Sequence, residues 1–134
     1  MKYVTIVSIL LVSCFLFAYK ARDVKRQDFN EYILSLENEY DGPWDYIVFL
    51  NDECEICHRQ TELFCENKFS TKKFLFISWT SMSSFDFSKF KFNYVHLNDT
   101  MLEHHEKFDV ELFPTIFIRN ENQNYIKHVG LLEL

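Results

Sequence analysis

Cys54 and Cys57 stand two residues apart in Cys54-Glu55-Ile56-Cys57, a spacing that allows the two thiols to close a small disulfide ring. At the start of a helix the first thiol sits at the positive end of the helix dipole, which favours the thiolate that attacks disulfides. The order of the residues assigns the roles. Cys54, nearer the helix start, attacks a partner disulfide, and Cys57 resolves the mixed disulfide that forms. Asp52, Glu53 and Glu55 place negative charge around Cys54, which disfavours the thiolate and tilts the pair toward a reductant. Protonated His58 opposes them, so Glu55 and His58 are the candidate tuning residues.

The same residues admit other chemistry. Cys54-Glu55-Ile56-Cys57-His58 fits the Cys-x-x-Cys-His pattern of covalent haem attachment, with His58 on the iron and Met82, Met101, His104 or His105 as formal second ligands. A zinc site would have to add Cys65, His58, His104 or His105, and that spacing matches no compact finger. A non-enzymatic version keeps the cysteines as a structural disulfide in an interaction module. Cys65 lies about three helical turns beyond Cys54 and reads as a half-buried packing cysteine. His104 and His105 read as solvated helix residues, and we expect neither cofactor nor metal.

The elements around the pair follow from hydrophobic spacing. Gln27 to Glu37 has Phe29, Tyr32, Ile33 and Leu36 at helical intervals, and Asp41-Gly42-Pro43 stops it. Tyr46 to Leu50 is a short apolar run rich in β-formers, the pattern of a buried central strand. It leads into the cysteines and a helix to about Asn67, whose expected inward face is Ile56, Leu63 and Phe64. Phe74 to Trp79 is a second buried strand. Ser81 to Lys91 is a Ser/Phe-rich connection whose phenylalanines are assigned to core packing, and Tyr94 to Leu97 is a short strand. Met101 to Phe108 reads as a helix with Met101, Leu102, His105 and Phe108 on one side. Thr115 to Arg119 and Tyr125 to Val129 form a hairpin around Asn120 to Asn124.

Over residues 27–134 the chain resembles the thioredoxin superfamily. The resemblance is carried by Tyr46-Ile47-Val48-Phe49-Leu50 entering Cys54-Glu55-Ile56-Cys57, and by Phe113-Pro114-Thr115-Ile116-Phe117-Ile118 followed by a hairpin ending at Gly130. It implies an α/β fold of three layers around a central mixed sheet. It also implies a cis bond at Phe113-Pro114, beside the cysteines, with backbone there pairing with the substrate chain. Partners are then protein thiols and disulfides. The stretch from Ser81 to Asn93 and Glu55 look like the TlpA and ResA branch of membrane-tethered, extracytoplasmic reductases. Ile56 replaces the proline of that branch, Glu53 stands where many relatives have Trp, and Val48 replaces the buried acid of thioredoxin. The final helix of such domains is missing or very short, since only Leu131 to Leu134 follow Gly130. A homodimer, a partner or the membrane would then cover the open apolar face.

Residues 1–20 form a candidate signal or membrane anchor and 21–26 a basic linker. Lys2 precedes an uncharged run from Tyr3 to Tyr19, at the short edge of the roughly 17 to 25 residues that span a bilayer. A cleaved signal yielding a secreted form, and a lipoprotein signal with Cys14 lipidated, are the other readings. Basic residues after the run favour a cytoplasmic domain by the positive-inside tendency. An apolar leader on a redox protein favours export, so we expect a membrane-anchored, extracytoplasmic domain. Fifteen Phe and seven Tyr against two Gly and two Pro indicate a phenylalanine-filled core. A net charge of −6 provides no basic field for phosphates, which excludes nucleic-acid binding as the leading function.

Overall fold

A strand without a charged side chain needs cover on both faces, and Tyr46-Ile47-Val48-Phe49-Leu50 receives it at the centre of a five-stranded sheet. The computed structural model describes residues 2–79 and 84–134, without the side chains of 2–10, 19 and 21–25. Its elements are α1 (Lys2–Glu39), β1 (Tyr46–Leu50), α2 (Glu55–Phe64), β2 (Lys73–Ser78), β3 (Asn93–Asn98), α3 (Glu103–Lys107), β4 (Thr115–Arg119) and β5 (Tyr125–Val129). The strand order is β3-β2-β1-β4-β5. β1, β2 and β3 run parallel, while β4 is antiparallel to β1 and β5 to β4. This is the expected mixed sheet.

Because side chains alternate across a strand, the sheet buries two separate clusters. Tyr46, Val48, Leu50, Phe74, Phe76 and Ile116 face α2 and pack with Cys57 and Phe64. Ile47, Phe49, Leu75, Ile77 and Phe117 face the other way and pack with Ile33 and Leu36 of α1 and with Phe108 after α3. Helices on opposite faces complete three layers. The phenylalanines between residues 85 and 92 join the first cluster, with Phe85 and Phe92 buried and Phe87 and Phe90 packed against it.

The helical backbone of α1 is continuous through 21–26. Several expectations are corrected. The buried face of α2 is Cys57, Gln60, Thr61 and Phe64, while Ile56 is 51% exposed, because burying Cys57 against the sheet turns its neighbour outward. α3 is only five residues long. Leu102 takes a left-handed backbone (φ 57°) that ends the helical path before it, so Met101 and Leu102 lie outside the helix and exposed. His105 is buried, not solvated.

Both ends of the fold are fastened by named contacts. α1 stops where Asp41 is left-handed (φ 56°) and Gly42 N–H donates to the Glu37 carbonyl at 2.7 Å. A Cβ on Gly42 would lie 2.7 Å from the Glu37 Cα, so glycine is required there. The Tyr125 hydroxyl ties the sheet to α1, 3.0 Å from the Trp44 carbonyl and 3.2 Å from the Glu37 carboxylate. Leu131 to Leu134 form no helix, yet Leu132 is buried and its backbone is bonded at both ends to the Gln60 side-chain amide, at 2.6 and 3.2 Å. Among the described residues no helix is long and apolar enough to cross a membrane. Most side chains of the expected anchor, and Met82 in the connection after β2, lie outside the described residues.

Candidate functional site

The central strand delivers the chain to the cysteines. After Leu50, Asn51 Oδ1 accepts the Glu53 N–H at 3.0 Å, folding the loop so that Cys54 becomes the N-cap of α2. Its backbone is extended (φ −92°, ψ 109°), and its Sγ accepts the Cys57 N–H at 3.1 Å. Glu55 occupies the first turn, where a carboxylate complements the helix dipole. Cys54 and Cys57 form a disulfide with Cα atoms 5.2 Å apart. Cys54 is partly exposed and Cys57 fully buried against Val48 and Phe64. Attack from outside can therefore reach Cys54 and not Cys57.

The Phe113-Pro114 peptide is cis and stands beside Cys54, whose Sγ is 3.7 Å from the Phe113 carbonyl oxygen. In the reduced pair an S–H there can donate to that oxygen. The Pro114 carbonyl is taken by the Gly130 N–H at 2.8 Å, with Gly130 left-handed at φ 95°. The structure thus brings Cys54, Cys57, Phe113 and Pro114 together. Glu55 is exposed at the helix start.

His58 lies one turn on and is turned away from iron-ligand duty. Its Nε2 is 2.9 Å from the Asp52 carbonyl, which can only accept, so that nitrogen carries the proton. The ring stacks on Phe85 at 4.2 Å, and the Ser84 hydroxyl bonds to the Asp52 carboxylate. A haem would need both sulfurs and this Nε2. Cys57 is fully buried under α2 and Nε2 is engaged by the Asp52 carbonyl, so the arrangement does not fit that group. Among the described residues no three His, Cys, Asp or Glu side chains are gathered as a metal site. Cys65 bonds its thiol to the Thr61 carbonyl at 3.3 Å, and burial pushes its pKa up.

Sequence reasoning missed a second cluster behind Phe113. The Phe113 ring stacks on Trp79 (6.1 Å) and packs on His105 (5.5 Å). Asp99 Oδ2 accepts from both the backbone N–H (2.9 Å) and the ring Nδ1 (2.5 Å) of His105. Burial pushes the Asp99 carboxyl up, but the His105 side-chain and backbone bonds, with further help from His104, hold it below its ordinary value. The left-handed Leu102 puts Asp99 under the start of α3, and helical periodicity carries no sign of that. An Asp six residues before a His was the only available signal.

A parallel unit around a dithiol helix, followed by a cis-proline and an antiparallel hairpin, decides the architecture. The fold is thioredoxin-like. Among solved structures the chain is similar to a Chlorobium tepidum protein provisionally named thiol:disulfide interchange protein DsbE, at 15% identity and a TM-score of 0.46, covering 65% of this chain and 67% of that one. It is also similar to a thioredoxin-like protein from Bacteroides caccae, at 15% identity and a TM-score of 0.43, covering 64% of this chain and 36% of that one. No family model and no curated protein matches the sequence.

Proposed function

We propose that the chain is a thiol-disulfide oxidoreductase acting on protein disulfides, with Cys54 as nucleophile and Cys57 as resolving thiol. The observation that carries this reading is the asymmetry of the pair, one sulfur reachable at a helix N-cap and its partner buried. In the reducing direction the Cys54 thiolate attacks one sulfur of a partner disulfide. A Cys54–partner bond forms, the partner S–S bond breaks, and the second partner sulfur leaves as a thiolate. The Cys57 thiolate then attacks Cys54 Sγ, closing the Cys54–Cys57 disulfide and releasing the first partner sulfur. The partner gains two electrons and its thiolates take two protons; a dithiol donor must return the pair to its reduced state.

Reduction is the favoured direction. Asp52, Glu53 and Glu55 precede or open α2 beside Cys54, and Cys57 is desolvated among apolar side chains, so both thiolates are disfavoured. The N–H bond to Cys54 Sγ and the helix dipole work against these effects at Cys54. Phe113 and Pro114 are the substrate-pairing residues, and His58, held between Asp52 and Phe85, shapes the loop that presents Cys54. The apolar run from Tyr3 to Tyr19 supports an anchored, extracytoplasmic site of action.

The test is the thiol-disulfide equilibrium of the protein in glutathione or dithiothreitol buffers, read by thiol trapping. A reversible two-electron couple that disappears in Cys54→Ser is expected. In Cys57→Ser, a mixed disulfide with substrate should accumulate. An unreactive Cys54 in the folded protein would leave the structural-disulfide reading standing instead.

A further inference from the structure

Beside the cis-proline, on the side away from Cys57, lies a groove of about 370 Å³. Its apolar wall is Trp79, Val110 and Phe113, and its rim is Glu106, Asp109 and Glu111. Trp79 is 41% exposed although it follows directly on a buried strand, with one ring face on Phe113. Among the described residues the lining contains three carboxylates and no lysine or arginine. Two ammonium groups lie nearby: Lys127 donates to the backbone carbonyl of the rim residue Asp109, leaving its carboxylate unpaired by that bond, and Lys107 lies over the Tyr32 ring. Phe113 belongs to both places, its carbonyl facing Cys54 Sγ and its ring forming the groove wall.

We propose that this groove receives a cationic segment of the partner protein, one that carries an aromatic or branched apolar side chain near the disulfide to be exchanged. The inference rests on the thiol-disulfide reading and adds the class of substrate. An apolar side chain on Trp79 and Phe113 removes exposed aromatic surface from water. Lysine or arginine next to it meets the three carboxylates, and their field raises the encounter rate and rejects acidic segments. The Asp99–His105 pair fixes the wall, since the His105 ring lines the groove and packs against both Trp79 and Phe113.

The experiment compares peptides of identical length that carry one cysteine as a mixed disulfide with a chromogenic thiol, with phenylalanine nearby and either lysine or glutamate flanking it. Hydroxyethyl disulfide, small and uncharged, is the reference substrate. The reduced full chain should react roughly tenfold faster with the lysine peptide at low ionic strength, and added salt should erase most of the difference. Because the whole chain carries a charge of −6, the groove is isolated by comparing Glu106→Lys with Glu121→Lys. The second makes the same charge change in the turn at the far end of β4, roughly 16 Å from Pro114. Loss of preference in the first variant alone is expected. Equal loss in both, or equal rates for the two peptides while hydroxyethyl disulfide reacts, would overturn the proposal and leave the oxidoreductase reading intact. No reaction with hydroxyethyl disulfide would overturn that reading, and this inference with it.

Discussion

Behind Cys57 the sheet face under α2 is filled by rings, Tyr46, Phe64, Phe74, Phe76 and Phe92 among them, and among the described residues it buries no carboxylate or imidazole. The opposite face, under α1 and α3, buries the ionisable pair Asp99 and His105 next to Phe49 and Phe108. The two faces meet at Phe113, which packs against both clusters. Stability on the first face comes chiefly from the packing of its rings. On the second it depends on a charge being satisfied. The Cys54–Cys57 disulfide therefore sits on an apolar backing, while the wall of the neighbouring groove is held by a polar bond that acid can break.

The largest effect should come from opening the aromatic face. Phe74 is fully buried, with ring centroids of Phe92 at 4.1 Å and of Tyr46 and Phe64 at 4.9 Å. Phe74→Ala should lose about 3–5 kcal/mol, a large part of the roughly 5–15 kcal/mol that a domain possesses. Urea unfolding measures it. A loss below about 1 kcal/mol would mean that this face collapses around the gap and does not depend on the packing of its rings.

Asp99→Asn comes next, at about 3 kcal/mol, since it removes the charge that satisfies the buried His105 ring and backbone. The sign with pH follows from the depressed carboxyl. The folded state binds fewer protons than the unfolded one, so the contribution is present above the ordinary aspartate value near 3.9. It is lost as pH falls through the lower folded value. Wild-type protein should weaken on acidification below about pH 4, and Asp99→Asn should flatten that limb. Equal acid slopes in the two proteins would break the contrast between the faces.

What was legible in the sequence divides along the same line. β1, β2, β3 and the hairpin could be read because a fully apolar or β-rich run has one physical outcome, and the dithiol could be read from its spacing after such a run. The rotation of α2 was misread, since Ile56 is the more hydrophobic residue but Cys57 is the one that packs in the cluster with Val48 and Phe64. His105 was taken for a surface residue because His104-His105 lies among Glu103, Glu106 and Lys107, which look solvated. Only the left-handed Leu102, a local backbone choice invisible to periodicity, brings Asp99 beneath it. The exposed Trp79 was assigned to a buried strand for a similar reason: the run Phe74 to Trp79 is uniform in hydrophobicity, but the strand ends at Ser78.

Gln60 tests how the aromatic face is closed at its edge. Its amide both donates to and accepts from the Leu132 backbone, and no other side chain type of that size offers both in one plane. Gln60→Ala should cost about 1–2 kcal/mol and release Leu132 from its buried position, detected as faster amide exchange at the chain's last residues. Gln60→Glu should cost a similar amount, because a carboxylate keeps the acceptor and loses the donor.

Cys65 should give the smallest effect, and that smallness separates a packing thiol from a redox one. Its thiol donates to the Thr61 carbonyl one turn back, a bond a serine hydroxyl can reproduce, and burial holds its pKa above the ordinary thiol value. Cys65→Ser should shift stability by no more than about 0.5 kcal/mol and leave the Cys54–Cys57 equilibrium unchanged. In the reduced protein near pH 8 the protonated Cys65 should be alkylated by iodoacetamide roughly tenfold more slowly than Cys54, as followed by mass spectrometry. Faster labelling of Cys65 would place a second reactive thiol on the face assigned here to inert packing, and the contrast between the two faces would have to be redrawn around it.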